Sequence, residues 1–327
     1  MSFPEKTNKR HIAVGVCVDN RMAMHAAITL YSLAKNVHPD VHVNAYVLSA
    51  GFTEENRQRF DSVLDLDGIT IHHRNLDTGL FSELPVASWT SPATHGRILL
   101  PGIVDESFGE ILYLDSDMLV LCDVSRIFDI PFEGNCLKVC QDLKYRTLGT
   151  SRSSSVYDEF GLYPGHKYFN SGLLGINIDA WRREDLVSRY FELGKKLHGR
   201  LSHSDQDIMN LLFYRKCVWL PPEYNLFSRY YKEYRNTSTN PDGYTCIIHY
   251  TGFKPDDPRS TSPLRGLFYN YVKESGWFSR SEYRKWRITV LVKRIPYTLR
   301  RGFVSKKKCK SILRYSLKRL RSGAAVR

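Results

Sequence analysis

No uninterrupted apolar run in the 327 residues approaches the ~18 that a membrane span requires, so no bilayer-crossing helix is expected. The polar opening, residues 1–10, gives way to an apolar run of only 12–18 before Asp19, which is too short for a secretory leader. There is no internal repeat, which excludes solenoids and propellers. The 7 cysteines include no Cys-x-x-Cys pair and mostly sit inside apolar runs, the pattern of reduced, buried thiols in a cytosolic protein. Acids are nearly missing from the end of the chain. Residues 280–327 hold 17 Lys and Arg against Glu282 alone, a net +16 beside the whole chain's +13, which leaves −3 for residues 1–279. A polynucleotide groove needs basic residues spread over the body, and RNA-recognition motifs are missing too, so no nucleic-acid partner is expected.

What is present is enough apolar sequence, 42% with 13% aromatic, to bury a sizeable core. Residues 12–18 read as a buried strand, and Ala23, Ala27, Leu30 and Ala34 then recur at helical spacing through 24–36. Residues 41–48 form a second expected strand, 53–64 a helix with Glu54 and Glu55 in its first turn, and 69–72 a third strand. This alternation predicts an α/β architecture, a mostly parallel, Rossmann-like sheet with helices on both faces. Further on, 143–168 reads as a long polar loop, 168–178 as a strand, 180–197 and 205–213 as helices, and 245–250 as a last strand. Residues 1–279 are expected to be the catalytic domain, with its core in 11–270, and 280–327 a separate basic segment.

The chemistry-bearing residues begin at 111–114, a short apolar strand that ends in Asp115-Ser116-Asp117 before 118–121 turns apolar again. Two aspartates one residue apart at a strand's C-terminal edge can share a divalent cation, and in open α/β sheets that edge binds ligands. The same pattern also suits a polar turn. Two buried carboxylates without a cation would repel each other. His249 closes the last strand and is followed by Tyr250-Thr251-Gly252-Phe253-Lys254-Pro255. An imidazole beside two carboxylates favours Mn²⁺ over Mg²⁺, and a glycine opening with a lysine fits a diphosphate.

In order, Val14 to Asn20, Tyr113-Leu114-Asp115-Ser116-Asp117, Tyr168-Phe169-Asn170-Ser171-Gly172, Asp205-Gln206-Asp207 and Ile248-His249-Tyr250-Thr251-Gly252 resemble the motifs of family 8 glycosyltransferases. These are retaining, Mn²⁺-dependent nucleotide-sugar enzymes of the GT-A fold, among them bacterial lipopolysaccharide galactosyl- and glucosyltransferases. The resemblance spans about residues 11–270. It implies Asp115, Asp117 and His249 as metal ligands and Mn²⁺, with Mg²⁺ as the alternative, as the cofactor. It also implies Val16, Asp19, Asn20, Arg97, Ser116, Gly252 and Lys254 as donor contacts, Lys254 on the diphosphate. Asn170, Asp205 and Gln206 look like the residues around the transferred sugar, and Asp142 resembles an acceptor-side carboxylate. The chain departs from the family at Val18, where an acid is common, at Arg21-Met22, where an aromatic follows, and at Lys254-Pro255-Asp256, where Lys-Pro-Trp is usual.

The implied function is transfer of galactose or glucose from a UDP-sugar to lipopolysaccharide core or another glycolipid or glycan. Retention leaves two routes open, Gln206 as nucleophile or acceptor attack on the face of the departing phosphate, and the second is expected because a neutral amide is a weak nucleophile. Two other readings compete: a metal-dependent nucleotidyltransferase or nucleic-acid-processing enzyme, and a non-catalytic binding module. In the basic segment, 280–301 carries Trp286, Ile288, Val290, Leu291, Val292 and Ile295. Past a break expected at Pro296, residues 306–321 place Cys309, Leu313, Leu317 and Leu320 on one helix face. This amphipathic basic segment is expected to hold the enzyme peripherally on the anionic inner face of the cytoplasmic membrane, the alternative being a helix packed on the catalytic body.

Overall fold

The computed structural model describes residues 9–87, 91–234 and 245–300. Its strands are β1 (Arg10–Asp19), β2 (Val41–Ala50), β3 (Ile69–Asn75), β4 (Glu110–Leu114), β5 (Met118–Val120), β6 (Leu137–Gln141), β7 (Phe169–Asn177), β8 (Cys217–Leu220), β9 (Leu226–Phe227) and β10 (Ile247–His249). The α-helices are α1 (Ala23–Asn36), α2 (Glu54–Val63), α3 (Leu100–Ile103), α4 (Ser154–Glu159), α5 (Ile178–Arg183), α6 (Leu186–Lys196), α7 (Ser204–Leu212), α8 (Tyr231–Tyr234), α9 (Arg265–Glu274) and α10 (Arg280–Arg300).

A 7-stranded sheet runs in the order β3-β2-β1-β4-β7-β6-β8, with only β7 reversed. Alternate residues of β1 serve opposite faces. Ile12, Val14, Val16 and Val18 pack with α1 and α2, while Ala13 and Cys17 pack on the side of α5, α6 and α7. This double burial is why the strands read as continuous apolar runs. α2 starts where Thr53 accepts from the Asn56 N–H and where Glu54 and Glu55 meet the helix dipole. A 3-stranded sheet, β5-β10-β9, stands beside the large one, covered by α9 and α10 through Phe268, Tyr269, Val272 and Val290. Among the described residues no helix is long and apolar enough to cross a membrane.

Several local expectations are corrected. The helix expected over 180–197 is two, α5 and α6, parted where Asp185 takes a left-handed backbone (φ 46°). Residues 143–168 are not an open loop: α4 lies inside them, and Leu148, Val156, Tyr157 and Tyr168 form a small core of their own. β8 was not anticipated, its four residues being only partly buried apart from Leu220. Cys122, just past β5, and Cys246, directly before β10, are joined as a disulfide, which a 124-residue separation conceals from sequence spacing, whereas Cys17, Cys136, Cys140 and Cys217 are free.

The basic segment begins docked rather than detached. Ser279 and Glu282 cap α10 reciprocally, Glu282 pairs with Arg59 of α2 at 2.7 Å, and Trp286 packs among Tyr269, Phe278 and Tyr283. Arg294 donates to the Ser260 carbonyl at 2.9 Å. With those contacts holding it, α10 continues through Pro296 to Arg300 instead of breaking there. The amphipathic stretch 306–321 lies outside the described residues.

Candidate active site

The three residues between β4 and β5 carry the paired aspartates. The Asp115 N–H donates to the Gly172 carbonyl on β7 at 2.7 Å, and the Asp117 carbonyl accepts from the Tyr250 N–H at 3.0 Å, so the loop is tied to both sheets. β10 pairs antiparallel with β5 in a register that sets His249 opposite Met118. The imidazole Nε2 therefore lies 3.2 Å from Asp117 Oδ1 and 3.6 Å from Asp115 Oδ2. Lys254 pairs with the other Asp117 oxygen. Burial opposes the charge on Asp117, yet Lys254 and His249 hold its carboxyl well below the usual carboxylate range. Two carboxylates and one imidazole nitrogen within 4.8 Å of one another are a donor set that fits a divalent cation of the Mn²⁺ or Mg²⁺ type.

Arg97 stands beneath this group on a 3-10 turn, Pro92–Leu99, and is only 2% exposed. It donates to Asp115 Oδ1 at 3.2 Å, to the Thr94 carbonyl at 2.8 Å and to the Ser171 carbonyl, and lies 3.5 Å from Asp205 Oδ2. Burial works against its charge, but Asp205, Tyr113 and Asp115 more than compensate and raise its pKa. The Tyr113 hydroxyl donates to Asp115 at 2.6 Å, and its ring underlies the guanidinium. Arg97 thus holds two carboxylates in place instead of standing free on a helix surface.

Beside the triad, Asn170, Asp205, Gln206 and Asp142 line a buried polar wall. Ser171 Oγ donates to Asp205 at 3.1 Å, Asn170 Nδ2 to Gln206 Oε1 at 2.9 Å and to Asp142 at 3.3 Å. Asp142 is turned by the Lys144 and Tyr145 N–H groups, both at 2.8 Å. Asp207 points the other way. It is fully buried and accepts from Ser153, Tyr157, Tyr168 and the His203 N–H, which pins residues 143–168 onto α7.

Of the expected donor contacts, Asp19 and Asn20 sit at the end of β1, next to β4. Asp19 caps the following turn through Arg21 and Met22, and Asn20 accepts from the Thr53 N–H and from Asn56. Ser116 is half-buried in the aspartate loop. Gly252 has φ 81°, a left-handed turn that lets the chain run from Thr251 toward Lys254. Val16 is fully buried within the sheet core and offers no surface to a ligand. Two neighbours were missed by sequence reasoning. Arg229 donates to the Thr251 carbonyl at 2.9 Å, beside Gly252, and Asn225 meets His249 Nδ1 at 2.9 Å. Neither belongs to a pattern that carries chemistry by itself.

The profile described as Glycosyl transferase family 8 matches residues 13–256. This chain belongs to glycosyltransferase family 8. The seven-stranded architecture is its GT-A fold, as the sequence led us to expect, and the nucleotidyltransferase and binding-module readings fall away. Among curated relatives, General stress protein A of Bacillus subtilis (strain 168) is 25% identical over 279 residues, 80% of this chain and 93% of that one. The lipopolysaccharide 1,3-galactosyltransferase of Salmonella typhimurium is 26% identical over 276 residues, 83% and 80% of the two chains. The galactosyltransferase LgtC, solved with donor and acceptor sugar analogues, superposes with a TM-score of 0.72 at 24% identity over 84% of this chain and 100% of that one, a likeness of fold.

Proposed function

We propose that this family 8 glycosyltransferase moves galactose or glucose from a UDP-sugar to a saccharide acceptor with retention, the acceptor being lipopolysaccharide core or another glycolipid or glycan. The observation that carries the reading is the Asp115, Asp117 and His249 triad with Lys254 at its rim, opening onto the Asn170, Asp205 and Gln206 wall. The printed activities of the lipopolysaccharide relatives support the choice of donor and acceptor class.

Asp115, Asp117 and His249 would hold Mn²⁺, or Mg²⁺, which supplies positive charge to the departing diphosphate. Lys254 adds a second cation to that leaving group. Arg97 fixes Asp115 and Asp205 relative to each other, so that the metal side and the sugar side keep one geometry. Asp205 and Asn170 accept and donate to sugar hydroxyls. The Gln206 carbonyl oxygen already accepts from Asn170 Nδ2 at 2.9 Å and from the Ser171 N–H at 3.1 Å, which weakens it further as a nucleophile. We therefore favour same-face transfer. The bond from the anomeric carbon to the diphosphate breaks, the acceptor oxygen bonds to that carbon, and the acceptor's proton goes to the leaving phosphate.

The basic segment gives the enzyme an anionic membrane surface as partner, where lipid-linked acceptors lie. On α10, Arg284, Lys285 and Lys293 are exposed together with Val292 and Tyr297. Each Lys or Arg near an anionic leaflet contributes on the order of 1 kcal/mol.

Incubation with Mn²⁺ and a panel of UDP-sugars, followed by detection of released UDP, tests the reaction. Asp117→Ala should abolish release while the fold persists. Full activity of that variant in chelator would defeat the metal assignment.

A further inference from the structure

We propose that Asn225 is a positioning residue that sets the tautomer of His249 and so presents an unprotonated Nε2 to the divalent cation. The inference rests on the metal-dependent reading above. Two backbone donors fix the polarity of the hydrogen-bond chain that leads to His249. The Gly172 N–H donates to Asn170 Oδ1 at 3.0 Å, and the Ser171 N–H donates to Gln206 Oε1 at 3.1 Å. Asn170 is thereby oriented with its amide nitrogen on Gln206 Oε1, at 2.9 Å. Its oxygen accepts a second bond from Asn225 at 2.9 Å, and the group that gives that bond is the Asn225 amide nitrogen.

The Asn225 carbonyl oxygen is then left facing His249 Nδ1 at 2.9 Å. An amide oxygen only accepts, so Nδ1 carries a proton, and Nε2 is the nitrogen left to offer a lone pair to a cation. Nε2 is the nitrogen between Asp115 and Asp117. Asn225 reaches this place because it ends the short turn Pro222–Asn225, directly before β9, and β9 pairs in parallel with β10 so that Phe227 lies beside His249. The residue is 1% exposed, and the Phe227 ring, perpendicular to the imidazole, packs against it. Hydrogen-bonding partners of metal-bound histidines typically alter metal affinity by 10–100-fold when removed.

The test combines a spectroscopic readout on protein loaded with diamagnetic Mg²⁺ with direct binding of Mn²⁺ by electron paramagnetic resonance. Long-range nitrogen–proton NMR of the Mg²⁺-loaded unaltered protein should show the His249 proton on Nδ1. Asn225→Ala should leave that proton without its acceptor and weaken Mn²⁺ binding by ~10–100-fold. Asn225→Asp, which retains an acceptor for Nδ1–H, should bind Mn²⁺ more tightly than Asn225→Ala. An Nδ1 without a proton in the Mg²⁺-loaded unaltered protein overturns the proposal, and that measurement requires no variant to fold. Normal Mn²⁺ binding by the unaltered protein with unchanged affinity in Asn225→Ala overturns this inference alone. No Mn²⁺ binding by the unaltered protein overturns the metal reading and this inference together.

Discussion

Gly172→Ala probes the crowding of the site with a single methyl group. Gly172 lies in β7, where the backbone suits any residue, so the added Cβ brings no conformational strain. Its surroundings are another matter: the Cβ would lie 2.5 Å from His249 Cε1, 2.8 Å from Asp115 Oδ2 and 2.9 Å from Asn170 Oδ1. A normal carbon contact needs ~3.5 Å, so the imidazole has to retreat by about 1 Å or the strand has to bend. Overpacking of this kind costs ~1–3 kcal/mol, offset by ~0.4–1 kcal/mol from the stiffer unfolded chain. The expected loss of stability is therefore modest, a fall of a few degrees in melting temperature. Function should suffer far more, because a displacement of about 1 Å in a positioned group lowers turnover by ~100-fold. Thermal melts, Mn²⁺ affinity and UDP release from the same preparation separate the two effects. Turnover and Mn²⁺ affinity within twofold of the unaltered protein would refute the packing argument.

Asp205→Asn should lower turnover much more than it weakens binding of free UDP, both measured directly; a collapse of UDP affinity would move Asp205 to the nucleotide side. Asp207→Ala strands the hydroxyls of Ser153, Tyr157 and Tyr168 and should cost about 3 kcal/mol or more in urea unfolding, with new proteolysis within 143–168. Resistance of that segment equal to the unaltered protein would count against Asp207 as its anchor. The Glu282 carboxyl is pulled down to about 2 by Arg59 and by the Ser279 N–H, from an ordinary value of 4.5. Because its folded value is depressed, its contribution to holding α10 is complete above pH ~4.5 and is lost as pH falls toward about 2. Hydrogen exchange across α10 should therefore quicken in that window, and Glu282→Gln should flatten the pH dependence. Removal of residues 301–327 should leave UDP release intact and weaken salt-sensitive sedimentation with anionic vesicles, whereas removal from 280 also strips Trp286 and Val290 from the body and should lower its stability. Vesicle binding unchanged by the shorter deletion would place the attachment elsewhere.

The sequence alone made the alternating first half legible, because β1 shows as a continuous apolar run and α1 as small and apolar residues at helical spacing, each written in its own residues. It also determined the paired aspartates, adjacent in the chain and flanked by apolar runs. His249 was legible as a strand-ending histidine, but its approach to Asp115 and Asp117 depends on the antiparallel register of β10 with β5. What the tertiary structure alone decided are the long-range consequences of packing. Arg97 changes from a surface charge into a buried clamp because Asp115, Asp205 and the Ser171 carbonyl converge on it from three other segments. Residues 143–168 become ordered because Asp207, on a distant helix, accepts three of their hydroxyls. α10 passes through Pro296 because its contacts to α2, α9 and the Ser260 loop outweigh one missing hydrogen bond. Asn225 acquires its role only through a chain of bonds that starts at a backbone N–H on β7. Local periodicity reports which face of an element is buried; which partners are buried against that face is settled by sheet order and register, and neither leaves a mark on neighbouring residues.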